Sequence, residues 1–147
     1  MAIRKLQPHD RERFFALLDR FYHSSAVLHA VPVNNYTITF TRCIENDPYT
    51  ACYVYEEDDI IKGYALLSFT YSNEVGGLVV LVEELYVPDD FRGQGIGSKL
   101  LGYVHETYHD TAKRFRLEVT RSNAGAIKLY ERLGYSLLDY LQMTKDV

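Results

Sequence analysis

Hydrophobic and polar positions along this chain follow two rhythms, and the changes of rhythm mark its elements. Residues 2–6, Ala-Ile-Arg-Lys-Leu, read as an opening strand. Pro8-His9-Asp10 then opens a helix in which Phe14, Phe15, Leu17, Leu18 and Phe21 keep a helical spacing, ending near His23. After an irregular stretch through Pro32, a second helix spans 35–44, with Tyr36, Phe40 and Ile44 four apart, and Asp47-Pro48 stops it. Residues 50–56 and 60–71 predict a hairpin around Glu57-Asp58-Asp59, and 74–87 an antiparallel partner after a turn at Ser72-Asn73. A helix over 95–109, a strand over 114–120, a helix over 124–133 ended by Gly134, and one or two strands within 135–144 complete the order.

Composition sets the bounds. A chain of 147 residues, 47% hydrophobic, is expected to form one domain over 1–147, with a real core. The net charge of -4 and the scattered Lys and Arg argue against a nucleic-acid partner, which needs a basic face. The longest apolar run, 78–82, is too short to cross a membrane, and the chain starts directly in foldable sequence, so the expectation is a cytoplasmic protein without a membrane partner. Cys43 and Cys52 are expected to pack as small hydrophobes rather than to form a disulfide or bind metal.

The most informative segment is 91–101, Phe-Arg-Gly-Gln-Gly-Ile-Gly-Ser-Lys-Leu-Leu, at a predicted strand-to-helix turn. Glycines let a backbone approach a ligand closely, a helix start offers unpaired N–H groups and the positive end of a dipole, and Arg92 adds a cation suited to phosphate. Spacing then selects among phosphate ligands. Gly97 is followed by Ser98-Lys99, which breaks the nucleotide-triphosphate pattern, and Ser98 stands where a dinucleotide fingerprint needs its last glycine.

What Arg92-Gly-Gln-Gly95-Ile-Gly97 does match is Arg/Gln-x-x-Gly-x-Gly/Ala, which resembles the acetyl-CoA pyrophosphate loop of the GNAT N-acetyltransferase superfamily. Two further segments are similar to that family: Asn123-Ala-Gly-Ala-Ile-Lys-Leu-Tyr130-Glu-Arg-Leu-Gly-Tyr135, one strand downstream, and Val82-Glu-Glu-Leu-Tyr-Val87, like its central strand. The element order β-α-α-β-β-β-α-β-α-β-β is also the family's. The resemblance implies a GNAT fold, a mixed and mostly antiparallel sheet of six to seven strands flanked by about four helices. Local likeness is to diamine and aminoglycoside acetyltransferases, whose central strand also carries a carboxylate nine residues before the Arg.

Acyl transfer to an amine needs a neutral nucleophile, a polarised thioester carbonyl and a proton for the departing thiolate. Glu83 or Glu84 is the candidate base, directly or through water. Strand alternation sends them to opposite faces unless a bulge intervenes, and Glu83 is preferred, with a share in amine binding. The resemblance implies that Tyr130 protonates the leaving sulfur. It also implies that acetyl-CoA, the cosubstrate, is held by the backbone of Leu85, Tyr86 and Val87, by Arg92, Gly93, Gln94, Gly95, Ile96, Gly97 and Ser98, and by Asn123 and Ala126. Asn123 also fits a helix N-cap.

His105-Glu-Thr-Tyr-His109 matches the zinc motif His-Glu-x-x-His. Helical phase puts Ile96, Leu100, Tyr103, Val104 and Thr107 on the buried face and both histidines on a solvated one, so no metal is expected.

The acceptor stretch, 21–36, offers Tyr22, His23 and His29 as lining residues, of which Tyr22 and His23 join Glu83 as the proposed amine-binding set. Glu83, Glu84, Asp89 and Asp90 would attract a cationic amine, whether a polyamine, an aminoglycoside, or a peptide or protein amine. Residues 21–33 carry no Glu or Asp of the kind a polyamine enzyme would place there. The reading is thus an acetyl-CoA-dependent N-acetyltransferase acting by direct transfer, with a homodimer as the family-based expectation. The alternative is a GNAT-fold module that binds an acyl-CoA or regulates a partner without turnover.

Overall fold

A computed structural model describes residues 1–147. The chain runs β1 (Ala2–Lys5), α1 (Arg11–Tyr22, entered through a 3-10 turn at Pro8–Asp10), α2 (Val33–Ile44), β2 (Thr50–Glu57), β3 (Ile60–Ser72), β4 (Gly77–Tyr86), α3 (Ile96–Tyr108), β5 (Ala112–Leu117) and α4 (Ala124–Arg132). The strands lie in sequence order in one mixed sheet, antiparallel from β1 to β4, with β5 parallel to β4. Asp58 and Asp59 turn the β2–β3 hairpin with φ of 55° and 62°, the left-handed pair that a two-residue hairpin loop needs.

Alternation along the strands separates two cores. Cys52, Val54, Tyr64, Leu66 and Tyr86 face Phe14, Leu18 and Phe21 of α1 and Tyr36 and Phe40 of α2. Tyr53, Tyr55, Ala65, Leu67, Val80 and Val82 face Ile96, Leu100, Leu101 and Val104 of α3. The first core is aromatic: the rings of Phe14 and Tyr64 meet edge-on at 5.2 Å, and those of Phe21 and Tyr86 lie 5.4 Å apart. Such pairs add about 0.5–1.5 kcal/mol each beyond the area they bury. The entrance to α1 is fixed by Asp10, fully buried, which accepts from Arg4 (2.7 and 3.0 Å), Arg13 (2.7 Å) and the Gln7 backbone (2.8 Å).

Two departures from the sequence expectation matter for the site. First, β3 and β4 change register: Leu66 faces Glu84 but Leu67 faces Val82, leaving Glu83 as an extra residue in a β-bulge. Second, the sheet has five strands, not six or seven, because residues 135–147 form none. Side-chain bonds hold that segment instead: Tyr135 Oη pairs with His105 Nε2 (2.8 Å) and Tyr140 Oη donates to Glu74 (2.9 Å). Leu137, Leu141 and Met143 are left at least 90% exposed. Both cysteines are free and buried, and burial pushes the Cys43 thiol up to about 11.

Candidate active site

The glycine-rich segment forms the turn from β4 into α3. Gly93 and Gly95 have φ of 78° and 76°, and a Cβ at either would meet nothing within 4 Å. Conformation, not space, therefore requires glycine there. Gly95 is the N-cap of α3, and the N–H groups of Ile96, Gly97 and Ser98 project from the helix start, where no intrahelical acceptor exists. Gly97 has a different task. A Cβ there would come within 3.3 Å of Leu129 Cδ2, so its absence lets α4 close on α3. Exposed Gly93, Gln94 and Gly95 and the helix start suit a pyrophosphate. The Arg92 guanidinium, expected as a cation for phosphate, is paired with Asp89 (2.7 Å) and donates from Nε to the Val87 carbonyl (3.1 Å), bracing the loop.

Next to this turn the sheet opens. The β4–β5 pairing ends at Val82 with Leu117, whereas β4 continues to Tyr86. Residues 84–86 of β4 are thus paired only on the β3 side, and the bulged Glu83 on neither. The backbone facing β5 is free to hydrogen-bond a ligand lying between the strands, which fits the predicted use of Leu85, Tyr86 and Val87. The side chain of Tyr86 itself lies in the aromatic core.

The bulge is the exception under which Glu83 and Glu84 need not diverge. Glu84 accepts from Tyr64 Oη (2.7 Å) and from Tyr22 Oη, while Glu83 accepts from Ser68 Oγ (2.8 Å). Tyr64 and Ser68 are four apart on β3 and share a face, so both carboxylates reach the α1–α2 side. Glu83 is exposed and Glu84 half-buried. Burial, with the neighbouring Glu83, raises the Glu84 pKa, and the two phenol hydrogen bonds only partly offset this. No Lys, Arg or His forms an ion pair with either carboxylate. The other members of the expected acidic group are already paired, Asp89 with Arg92 and Asp90 with Arg20 (3.2 Å).

Of the expected acceptor residues, Tyr22 joins this cluster, its ring stacked on Tyr36 at 6.0 Å. His23 does not: its side chain is 70% exposed and its Nδ1 lies 2.7 Å from the Asp19 carbonyl of its own helix. His29 is exposed. Tyr64, Tyr36 and Ser68 were not anticipated. Tyr64 and Ser68 could have been placed by alternation on β3, but their meeting with the glutamates depends on a bulge that no sequence pattern announces.

On α4, Asn123 Oδ1 accepts from the Ala126 N–H (3.2 Å), the N-cap expected of it. Tyr130, two turns on, packs at the rim of the α3-side core with its ring 6.0 Å from Tyr135, and burial raises its pKa, which keeps the phenol protonated. A groove of about 1260 Å³ between β5, α4 and the following segment has Tyr130 on one wall and is lined by neither Glu83 nor Glu84. His105 also lines it, half-buried against Phe115 (4.7 Å) and Tyr135 rather than solvated, because β5 and the segment after α4 cover that side of α3. Thr107, expected on the buried face, is exposed, and Leu101 takes that place. No three His, Cys, Asp or Glu side chains converge as metal ligands, and no helix is long and apolar enough to cross a membrane.

A sequence profile described as the acetyltransferase (GNAT) family matches residues 11–135. Among characterised proteins, the thialysine N-epsilon-acetyltransferase of Sus scrofa is 44% identical over 73 residues, 49% of this chain and 42% of that protein. The Mus musculus protein of the same name is 39% identical over 79 residues, 53% of this chain and 46% of that one. The matches thus span less than half the length of these relatives. Among solved structures, a possible acetyltransferase from Clostridium difficile 630 superposes with a TM-score of 0.82 at 19% identity, covering 99% of this chain and 97% of that one. An aminoglycoside N-acetyltransferase in complex with CoA gives 0.80 at 17%, covering 99% and 93%. At these identities the likeness is one of fold.

Proposed function

The chain belongs to the acetyltransferase (GNAT) family, and from that premise we propose that it transfers an acetyl group from acetyl-CoA directly to a primary amine. The observation that carries the proposal is the pair of cation-free carboxylates, Glu83 and Glu84, on β4 just where β4 and β5 part and one turn before the glycine loop. A module that only bound an acyl-CoA would need the loop but not two unpaired carboxylates beside the opening.

In this reading the N–H groups of residues 93–98 hold the pyrophosphate, the free β4 backbone from Leu85 to Val87 holds the pantetheine arm, and Asn123 and Ala126 flank it from α4. Acetyl-CoA supplies an acyl group activated as a thioester. Glu83 draws in the acceptor ammonium and the Glu83–Glu84 pair supplies the base, directly or through an intervening group, while Tyr130 Oη carries the proton for the leaving sulfur. Tyr22 lines the acceptor side; the geometry gives no support to His23 there. The acceptor class is a small cationic amine, such as a polyamine, an aminoglycoside or a lysine-like amine, or a peptide amine. The relatives named for thialysine favour the lysine-like member of that group.

A homodimer in the cytoplasm completes the proposal. The outer edge of β5 has no partner strand, and Leu137 and Leu141, which line the groove beside it, are exposed, a surface that a second copy would cover. Sedimentation reads the dimer directly. The activity is tested by release of CoA thiol with a panel of amines. Amine-dependent release that falls in Tyr130→Phe and Glu83→Gln supports the proposal; CoA binding without release on any amine leaves only the binding-module alternative.

A further inference from the structure

We propose that Tyr22 is a proton relay, passing the acceptor's proton to Glu84, so that the half-buried carboxylate and not the exposed Glu83 receives it. The inference rests on the acetyl-transfer reading above and moves the base within it.

Glu84 is poorly placed to meet an amine itself. Its Oε1 is taken by Tyr64, a fully buried side chain, and its Oε2 by Tyr22, so both oxygens face phenols on the sheet and α1. Tyr22 is different, being half-buried in the last turn of α1 between Phe21 and Tyr36. A phenol oxygen both donates and accepts. With its proton committed to Glu84, the partly exposed Tyr22 keeps a lone pair that can accept from a ligand. An ammonium drawn in by the exposed, cation-free Glu83 would donate an N–H to that oxygen.

The step balances without an ionised tyrosine. As the ammonium N–H bond breaks, its proton forms a new O–H bond on Tyr22. The original Tyr22 O–H bond breaks, and that proton bonds to Glu84 Oε2. The nitrogen keeps the electron pair it needs for attack. An ammonium and a carboxylate become a neutral amine and a neutral carboxylic acid, and Tyr22 ends as it began. Burial and the adjacent carboxylate favour each part of this. They raise the Tyr22 pKa, which removes phenolate as a resting state, and they raise the Glu84 pKa, which makes it a better proton acceptor.

The relay matters most for an acceptor that arrives protonated, because that amine must lose a proton before it can attack at all. The test therefore compares wild type, Tyr22→Phe and Glu84→Gln on a strongly basic primary alkylamine and on trifluoroethylamine, which is largely neutral at neutral pH, with CoA binding measured in parallel. The relay predicts that Tyr22→Phe lowers kcat/KM by about 100-fold on the basic amine and by a clearly smaller factor on trifluoroethylamine, with CoA binding kept. Glu84→Gln should show the same selectivity, and it decides the matter if Tyr22→Phe loses CoA binding through misfolding. Equal losses on both amines, or no loss on either, overturn the relay while leaving acetyl transfer intact. A wild-type protein inactive on every amine overturns the acetyl-transfer reading, and the relay falls with it.

Discussion

Glu83 and Glu84, adjacent in the chain, direct their carboxylates to the same face of the sheet, one to Ser68 and the other to Tyr64 and Tyr22. A single bulged residue makes this possible. In a regular strand one of the two would lie in the α3-side core among Val80 and Val82. Gathering two negative charges with no counter-ion costs stability.

Glu84→Gln should stabilise the protein at neutral pH while impairing the reaction. Burial, the larger influence, and the Glu83 charge raise the Glu84 pKa above the ordinary 4.5. The folded state therefore holds this proton more tightly than the unfolded chain. The contribution is fully present below the ordinary value and is lost as pH rises through the raised one. Removing the charge should raise Tm by roughly 2–4 °C at neutral pH, the shift expected from about 1 kcal/mol in a chain of this size. The gain should vanish in acid. Thermal melts of both proteins across the carboxylate range check it; a lower Tm for the variant at neutral pH contradicts it.

Tyr130→Phe should lower kcat by about 100-fold with little change in the affinity for CoA. Its ring packs at the rim of the α3-side core, so the isosteric change keeps the fold while removing the proton. Calorimetric CoA titration beside thiol release separates the two effects, and unchanged turnover removes Tyr130 from the mechanism.

Gly95→Ala should weaken acetyl-CoA binding more than it weakens the fold. At φ 76° an alanine costs about 1–2 kcal/mol, and the loop can relax that strain only by turning the first N–H groups of α3. The expected outcome is a KM for acetyl-CoA raised about tenfold, with the amine KM nearly constant. Gly97→Ala should act otherwise, loosening the contact with Leu129 and lowering Tm.

Asp10→Asn should cost about 3 kcal/mol, because Arg4 and Arg13 converge on a fully buried carboxylate. Burial alone would raise the Asp10 pKa, but hydrogen bonds from Arg4 and the Gln7 backbone outweigh it and hold the pKa below 3.8. This stability is present above the ordinary carboxylate pKa and is lost as pH falls through the lowered value. Urea melts should show the gap between the two proteins closing in acid.

The elements were legible in the chain because each carries its own local signal. Phe14, Leu18 and Phe21 mark α1, the paired aspartates mark the first hairpin, and the glycine spacing marks the loop before α3. The candidate cofactor loop was legible as a turn for the same reason, since it is one contiguous segment. The acceptor side was not. Tyr22, Tyr64, Ser68 and the two glutamates come from α1, β3 and β4, and what joins them is a one-residue change of register. Nothing in the residue types at 82–86 demands that change. The segment after α4 misled in the opposite way: its apolar residues suit a strand, but a strand exists only with a partner, and here tethers from Tyr135 and Tyr140 hold it elsewhere.

The sheet that separates the two cores also separates two design problems. In the proposed reading, the contacts that would shape the nucleotide grip lie on α3, α4 and the β4–β5 opening, whereas those that would meet the acceptor lie with α1 and α2 on the other face. Only β4 serves both. New acceptor preferences can thus be sought by exchanging the stretch from Phe21 to Tyr36 as a cassette, leaving the donor apparatus as a fixed chassis.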